Sequence, residues 1–240
     1  VLKMLPDYIV VDLEMTGLNP KTDRILEIGA VKVLGKQVTE VFSRLVCPGR
    51  KLDEAIVALT GITDELAAEG DCLDDAAGAF LEFAGELPWV GHNVIFDYQF
   101  IRQWEINHRI KRRCYAVDTL KIARKCLEGL EHKSLDYLCG YYHIERKGRH
   151  RALEDAKATQ LLYEILERGF LEKEPGLFAA KELQYKAKRQ SPATSRQIEY
   201  LNGLLKRYQV KPPIPLAQMS RSDASRFTDR IIREYGKPSP

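Results

Sequence analysis

The stretch Tyr8-Ile9-Val10-Val11-Asp12-Leu13-Glu14-Met15-Thr16-Gly17-Leu18-Asn19-Pro20 decides how this chain folds. Its first four residues are aromatic or β-branched, which reads as a short strand over 8–11. Gly17, Asn19 and Pro20 then punctuate a turn. Beyond it, Ile25–Leu34 alternates apolar and polar closely enough for a second strand, and 41–46 supplies a third. The simplest arrangement is an antiparallel three-strand meander. Side chains two apart on a strand share a face, so Asp12 and Glu14 project together while Leu13 points to the opposite side. Two carboxylates on one face repel each other unless a cation lies between them. Oxygen donors suit Mg²⁺ or Mn²⁺ rather than zinc. A strand emerging into water would expose the same pair without binding anything, so these two residues alone leave both readings open.

Downstream, helical patterns fall at about 53–59 and 74–87, followed by a short strand at Trp89–Gly91, a helix over 97–107 and a strand ending near Val117. Further helices are expected over 119–127, 134–141 and 152–168. A run of strands followed by strand-helix alternation predicts an α/β fold with a mixed sheet flanked by helices, occupying residues 1–175. Residues 176–193, with Lys186, Lys188, Arg189, Ser191 and Pro192, read as a basic linker. Residues 194–240 read as a small basic module of two helices. Each is announced by a capping-box pattern, Thr194-Ser195-Arg196-Gln197 and Ser220-Arg221-Ser222-Asp223, ahead of apolar residues at helical spacing. Two short helices have little core of their own, so this appendage is expected to dock on the body or on a partner.

Composition sets the outer bounds. With 240 residues and 45% hydrophobic content, the chain supports one main domain and an accessory piece. The net charge of +3 conceals an asymmetry: residues 181–240 hold 13 Lys and Arg against 5 Asp and Glu, so a basic tail follows an acidic body. That split suits either phosphate attraction or an ordinary solvated surface. No run approaches the roughly 18 apolar residues of a membrane span, and the first residues lack a secretory pattern. A soluble, cytoplasmic protein without a membrane partner is expected. Five scattered cysteines with no C-x-x-C pair argue against a disulfide framework and against a zinc site.

Two more patches carry chemistry. Asp97 closes Gly91-His92-Asn93-Val94-Ile95-Phe96-Asp97 and opens a helical pattern, where a carboxylate also favours the helix dipole. His150 and Asp155 are five residues apart, about 140° around a regular helix, so they could not share a helical face. For both to serve one site, His150 must sit on the loop before the helix and Asp155 in its first turns.

The ordered segments Asp12-Leu-Glu14-Met-Thr-Gly-Leu, Gly91-His-Asn-Val-Ile-Phe-Asp97 and His150-Arg-Ala-Leu-Glu-Asp155-Ala resemble the three motifs of the DEDDh exonuclease superfamily, which includes the epsilon proofreading subunit of bacterial DNA polymerase III. The resemblance covers roughly residues 7–170. It implies a ribonuclease H-like fold and stepwise removal of nucleotides from a 3′ end. Carried over by motif, Asp12, Glu14, Asp97 and Asp155 are the metal carboxylates for two Mg²⁺ or Mn²⁺ ions, and His150 is the general base. A base must be neutral to take a proton, so activity is expected to fall at acidic pH. Met15 and Thr16 are expected to approach the terminal nucleotide through backbone groups. Leu18 and Phe96 are candidates for base or sugar contact, with ordinary core packing as the other possibility.

The resemblance implies a DNA 3′ end as substrate, in one of two settings: proofreading, with a polymerase on another chain, or free-standing repair or trimming. The Gly-His-Asn form of the Asp97 motif favours this branch over an exoribonuclease acting on RNA ends, which the first motif also resembles. A non-catalytic nucleic-acid-binding or assembly module is the third reading. Asp118 reads as a helix cap, and Thr60-Gly61-Ile62-Thr63 as a structural or groove segment.

Overall fold

The computed structural model describes residues 5–146, 148, 150–187, 190–212 and 214–236. Lys188 and Arg189 of the expected linker lie outside the described residues, as do the chain's first four residues and its last four. In chain order the elements are β1 (Tyr8–Met15), β2 (Ile25–Leu34), β3 (Gln37–Leu45), α1 (Glu54–Thr60), α2 (Asp64–Ala68), α3 (Leu73–Ala84) and β4 (Trp89–Gly91). There follow α4 (Ile95–Asn107), β5 (Tyr115–Asp118), α5 (Thr119–Cys126), α6 (Leu135–Tyr141), α7 (Ala152–Phe170), β6 (Lys181–Glu182), α8 (Ser195–Tyr208) and α9 (Arg221–Tyr235).

The strands form one mixed sheet of order β3-β2-β1-β4-β5-β6. β1 to β3 make the antiparallel meander, β4 runs parallel to β1, and β5 runs parallel to β4. The α/β class with helices on both faces is therefore as the sequence pattern predicts. Several boundaries differ for physical reasons. β1 continues past Val11 to Met15 because β2 supplies a partner for each further residue, with a register irregularity between Glu14 and Met15. β3 starts at Gln37, earlier than expected; almost all its side chains are exposed, so it lacks an apolar signature. α4 begins at Ile95, which puts Asp97 in its first turn. β6 falls inside the stretch read as a linker and pairs antiparallel with β5.

Strand parity divides the core. Ile9, Val11 and Leu13 point into a cluster with Phe80 of α3 and with Tyr98 and Ile101 of α4. Tyr8 and Val10 point the other way, onto Ile122, Leu138 and Leu162 from α5, α6 and α7. Each large aliphatic side chain so buried contributes about 1.5–3 kcal/mol. Asp12 and Glu14 continue the even-numbered series, so they face α7. Their register partners on β2 are Gly29 and Glu27. A Cβ on Gly29 would stand 2.1 Å from the backbone carbonyl carbon of Ala152, so only glycine lets the start of α7 seat against β2 here.

Leu183, Tyr185 and Gln190 are tied down along the body. Leu183 N–H donates to the Cys114 carbonyl (2.8 Å), the Tyr185 hydroxyl donates to Gln103 Oε1 (3.2 Å), and Gln190 N–H donates to Asn107 Oδ1 (2.9 Å). α8 and α9 then pack on each other through Leu201, Leu204, Phe227 and Ile231, closed by Ile214 and Met219 from the connection between them. Both expected capping boxes form, at Thr194 with Gln197 and at Ser220 with Asp223. Among the described residues no helix is long and apolar enough to cross a membrane.

Candidate active site

β1 delivers Asp12 and Glu14 side by side, β4 leads into the turn that places Asp97 at the head of α4, and the loop before α7 brings His150 and Asp155. Asp12, Glu14, His150 and Asp155 line one open cleft of about 270 Å³, together with His92 and Arg146, while Asp97 lies behind it, tied to β1 through the Leu13 N–H. One donor atom each from Glu14, His150 and Asp155 lies within 4.8 Å of the others.

The electrostatics follow from this crowding. Burial raises Asp12 well above the ordinary carboxylate range, and the charges of Asp97, Asp155 and Glu14 add to the effect. Burial also pushes Glu14 up to about 8, reinforced by Asp155 and Glu27. Asp97 rises to about 7 through burial, although its Oδ1 accepts the Leu13 N–H at 3.0 Å, a bond that favours the anion. Asp155 is raised by burial and held back by Arg146, whose guanidinium donates to Oδ1 at 2.6 Å. Such a set of negative groups is stable as anions only with added positive charge. Glu14, Asp155 and His150, with Asp12 beside them and no thiol lining the cleft, make a donor set for a hard divalent cation.

His150 stands on the loop immediately before α7 with φ +55°, and Asp155 lies in the helix's first turn, the placement that their spacing requires. The His150 N–H donates to Asp155 Oδ2 at 3.2 Å. Glu27 secures the next residues. It is 1% exposed, accepts from Arg151 Nε (3.0 Å) and Nη2 (2.9 Å), and takes the Ala152 N–H as well (3.0 Å). Sequence reading missed Glu27, although an acid at an inward-facing position of the apolar run Ile25-Leu-Glu-Ile-Gly was a usable signal. It also missed Arg146, which bridges Asp155 and Asp136 and which no spacing rule singles out.

The remaining candidates separate clearly. Leu18 is 64% exposed and Phe96 is half-buried, and neither belongs to an apolar cluster among the described residues. Met15 packs against the cluster on the α3 and α4 side. The Thr16 N–H donates to the Arg24 carbonyl (2.9 Å) and its hydroxyl oxygen accepts from Arg24 N (2.9 Å) and Arg50 Nη2, so Thr16 holds the turn together. Asp118 caps α5 by accepting from Leu120 N (3.0 Å), and it also receives the Asn93 N–H (2.9 Å). His92 is pinned between the Thr119 hydroxyl (2.9 Å) and the Lys133 carbonyl (2.8 Å), and burial lowers its pKa. In the Thr60-Gly61-Ile62-Thr63 segment, Gly61 ends α1 in the left-handed region, Ile62 is fully buried and Thr63 caps α2.

Known proteins place this arrangement. The RNase T exonuclease family model matches residues 9–163. The DNA polymerase III epsilon subunit of Aquifex aeolicus is 38% identical over 162 residues, covering 67% of this chain and 80% of that protein. A PolC-type DNA polymerase III from Caldanaerobacter subterraneus is 33% identical over 163 residues, and there the chain spans only 12% of the relative's length. Among solved structures, exonuclease I superposes with a TM-score of 0.60 at 21% identity over 72% of this chain and 42% of that one. Exonuclease X in complex with 5′ overhanging duplex DNA gives 0.56 at 23% identity, over 72% of this chain and 99% of that one. The shared fold and the family match together establish that the chain belongs to the RNase T exonuclease family.

Proposed function

We propose that the protein is a 3′-to-5′ exonuclease acting on single-stranded or frayed DNA ends, with Asp12, Glu14, Asp97 and Asp155 holding two Mg²⁺ or Mn²⁺ ions and His150 serving as general base. The observation that carries this reading is Asp12, half-buried on β1 and surrounded by the charges of Asp97, Asp155 and Glu14. Carboxylates set against one another in this way lack a structural purpose without a cation. When bound, the two ions would activate a water and stabilise the charge developing on the phosphate.

The chain's own residues do the rest. Leu13 N–H fixes one oxygen of Asp97 and so orients that carboxylate toward β1. The neutral His150 ring, aimed at the same space as Glu14 and Asp155, takes the proton from the attacking water. Arg146 must release Asp155 before that carboxylate can serve a metal. Leu18 and Phe96, exposed and half-buried beside these motifs, offer apolar surface to a terminal base, which any base can stack on. The similarity to an epsilon subunit favours DNA over RNA and a separate polymerase chain as partner.

The test is digestion of matched 3′- and 5′-labelled DNA and RNA oligonucleotides with Mg²⁺ or Mn²⁺. Stepwise loss from the 3′ end, faster on DNA and abolished by Asp12→Ala and His150→Ala, is the expected result. No cleavage by a folded protein with either metal would overturn the proposal.

A further inference from the structure

Where α9 meets the turn between β1 and β2 there is a second, smaller cavity of about 220 Å³. Four of its lining residues are arginines: Arg24 and Arg50 from the body, Arg226 and Arg230 from α9. Facing them are Asp23, 3.7 Å from Arg50, and Asp223, which is 2.8 Å from Arg226 and 3.6 Å from Arg24. Four guanidiniums against two carboxylates leave a surplus of about two positive charges. Burial pulls Arg24 below its ordinary range, opposed by Asp223 and helped by Arg50 and Arg226. Arg230 lies over the Phe227 ring, 4.8 Å from its centroid, and Arg24 and Arg50 both donate to the Thr22 carbonyl. These contacts, with those of Arg24 Nη1 to the Asp23 carbonyl and Arg226 Nη2 to Asp223, hold the guanidiniums in place, and five N–H donors on each guanidinium exceed the bonds so made.

The cavity is wired to the catalytic strand. Arg50 Nη2 donates to the Thr16 hydroxyl, and Thr16 lies two residues beyond Glu14, about 7 Å along an extended chain. This contact puts the pocket near the end of β1 that carries Glu14, close enough for a further phosphate of a strand whose terminal phosphodiester sits at Glu14. Guanidinium forks match phosphate oxygens in geometry and charge.

We propose that Arg24, Arg50, Arg226 and Arg230 form a phosphate-binding subsite for the substrate strand upstream of the cleavage point, completed by the C-terminal module. This rests on the nucleic-acid reading above, and deepens it: the appended helices supply half of the strand's backbone grip. Recognition there is of the phosphate chain and carries no base preference.

The test uses the full chain in EDTA and follows fluorescence anisotropy of a labelled oligothymidylate across a salt series. Arg226→Gln/Arg230→Gln should raise Kd about tenfold and reduce the slope of log K against log salt by about 1.4, the value for two fewer neutralised phosphates. Arg226→Lys/Arg230→Lys should retain most of the binding and the slope. Hydrolysis of the p-nitrophenyl ester of thymidine 5′-monophosphate, too short to reach the pocket, should be the same in all three proteins. If the wild type hydrolyses neither ester nor oligonucleotide, the exonuclease reading fails while the anisotropy still judges the subsite. Should the Gln variant misfold, phenylglyoxal labelling of the wild type with and without oligothymidylate decides: protection of Arg226 and Arg230 supports the subsite. Unchanged Kd and slope in a folded Gln variant, or no protection, overturns it.

Discussion

Glu27 on β2 and Arg151 at the head of α7 form a two-pronged ion pair, Nε to Oε2 at 3.0 Å and Nη2 to Oε1 at 2.9 Å, directly behind His150. A bidentate guanidinium–carboxylate pair fixes orientation as well as distance. Here it fixes the residue next to the proposed base. Glu27→Gln keeps the shape and halves the charge assistance, and it is expected to lower kcat about 10- to 100-fold with a smaller change in KM. Because the loss arises from a displaced His150, the acid limb of the pH–rate profile should shift as well, which loss of stability alone would not produce. Glu27 is buried but the Arg151 side chain is 43% exposed, so weakening the pair should also cost about 1–2 kcal/mol in urea unfolding.

Gly29 is the neighbouring test of packing. Since its added Cβ would meet the backbone of Ala152 and Leu153 at 2.1–2.2 Å, relief requires moving the whole start of α7. Gly29→Ala is expected to destabilise by about 3 kcal/mol or more and to reduce activity with it, as read by the urea midpoint. A melting curve like the wild type's would show that α7 does not seat so closely.

The raised pKa of Glu14 makes a stability prediction with a definite sign. A carboxyl group at about 8 in the fold and 4.5 when unfolded binds its proton more tightly when folded. Its contribution is fully present below pH 4.5 and is lost as pH rises through 8. Glu14→Gln escapes that loss. In metal-free buffer the variant and the wild type should melt together near pH 4.5, and the variant should be the more stable by about 2–4 kcal/mol at pH 8.5. Added Mn²⁺ should raise the melting temperature of the wild type at pH 8.5 and do much less for the variant.

Arg146 competes with a metal for Asp155. Its guanidinium donates to Asp155 Oδ1 at 2.6 Å and also pairs with Asp136. Arg146→Gln should therefore bind Mn²⁺ about 3- to 10-fold more tightly in calorimetry at neutral pH, since a charge-assisted bond no longer has to be broken. Weaker binding by the variant would mean that Arg146 organises the carboxylate for the ion instead of displacing it.

Much of the site was legible because it depends on chain periodicity. The two-residue repeat of a strand dictates that Asp12 and Glu14 share a face, and the 3.6-residue repeat of a helix forces His150 onto a loop if Asp155 belongs to the same site. Glu27 was legible only in part: its burial depends on which face of β2 receives α7, and that is settled by Gly29 and a helix more than a hundred residues away. Arg146 and the arginine pocket belong to tertiary contact alone. No periodicity relates Arg24 to Arg226, so only the docking of α9 brings them together. β6 and the first residues of β3 escaped for the opposite reason, since exposed edges with polar side chains leave no apolar rhythm to detect.

β6 has a further consequence for how the chain can be cut. Its two residues cover the backbone of Tyr115 and Ala116 on β5, a strand whose interior residues are buried. A fragment ending with α7 would keep every proposed metal ligand and yet uncover N–H and C=O groups beside an apolar strand. Such a flank invites pairing with another copy of the fragment. The excised catalytic body is then a protein prone to self-association, and residues 181–182 act as the cap that keeps one sheet from growing into the next.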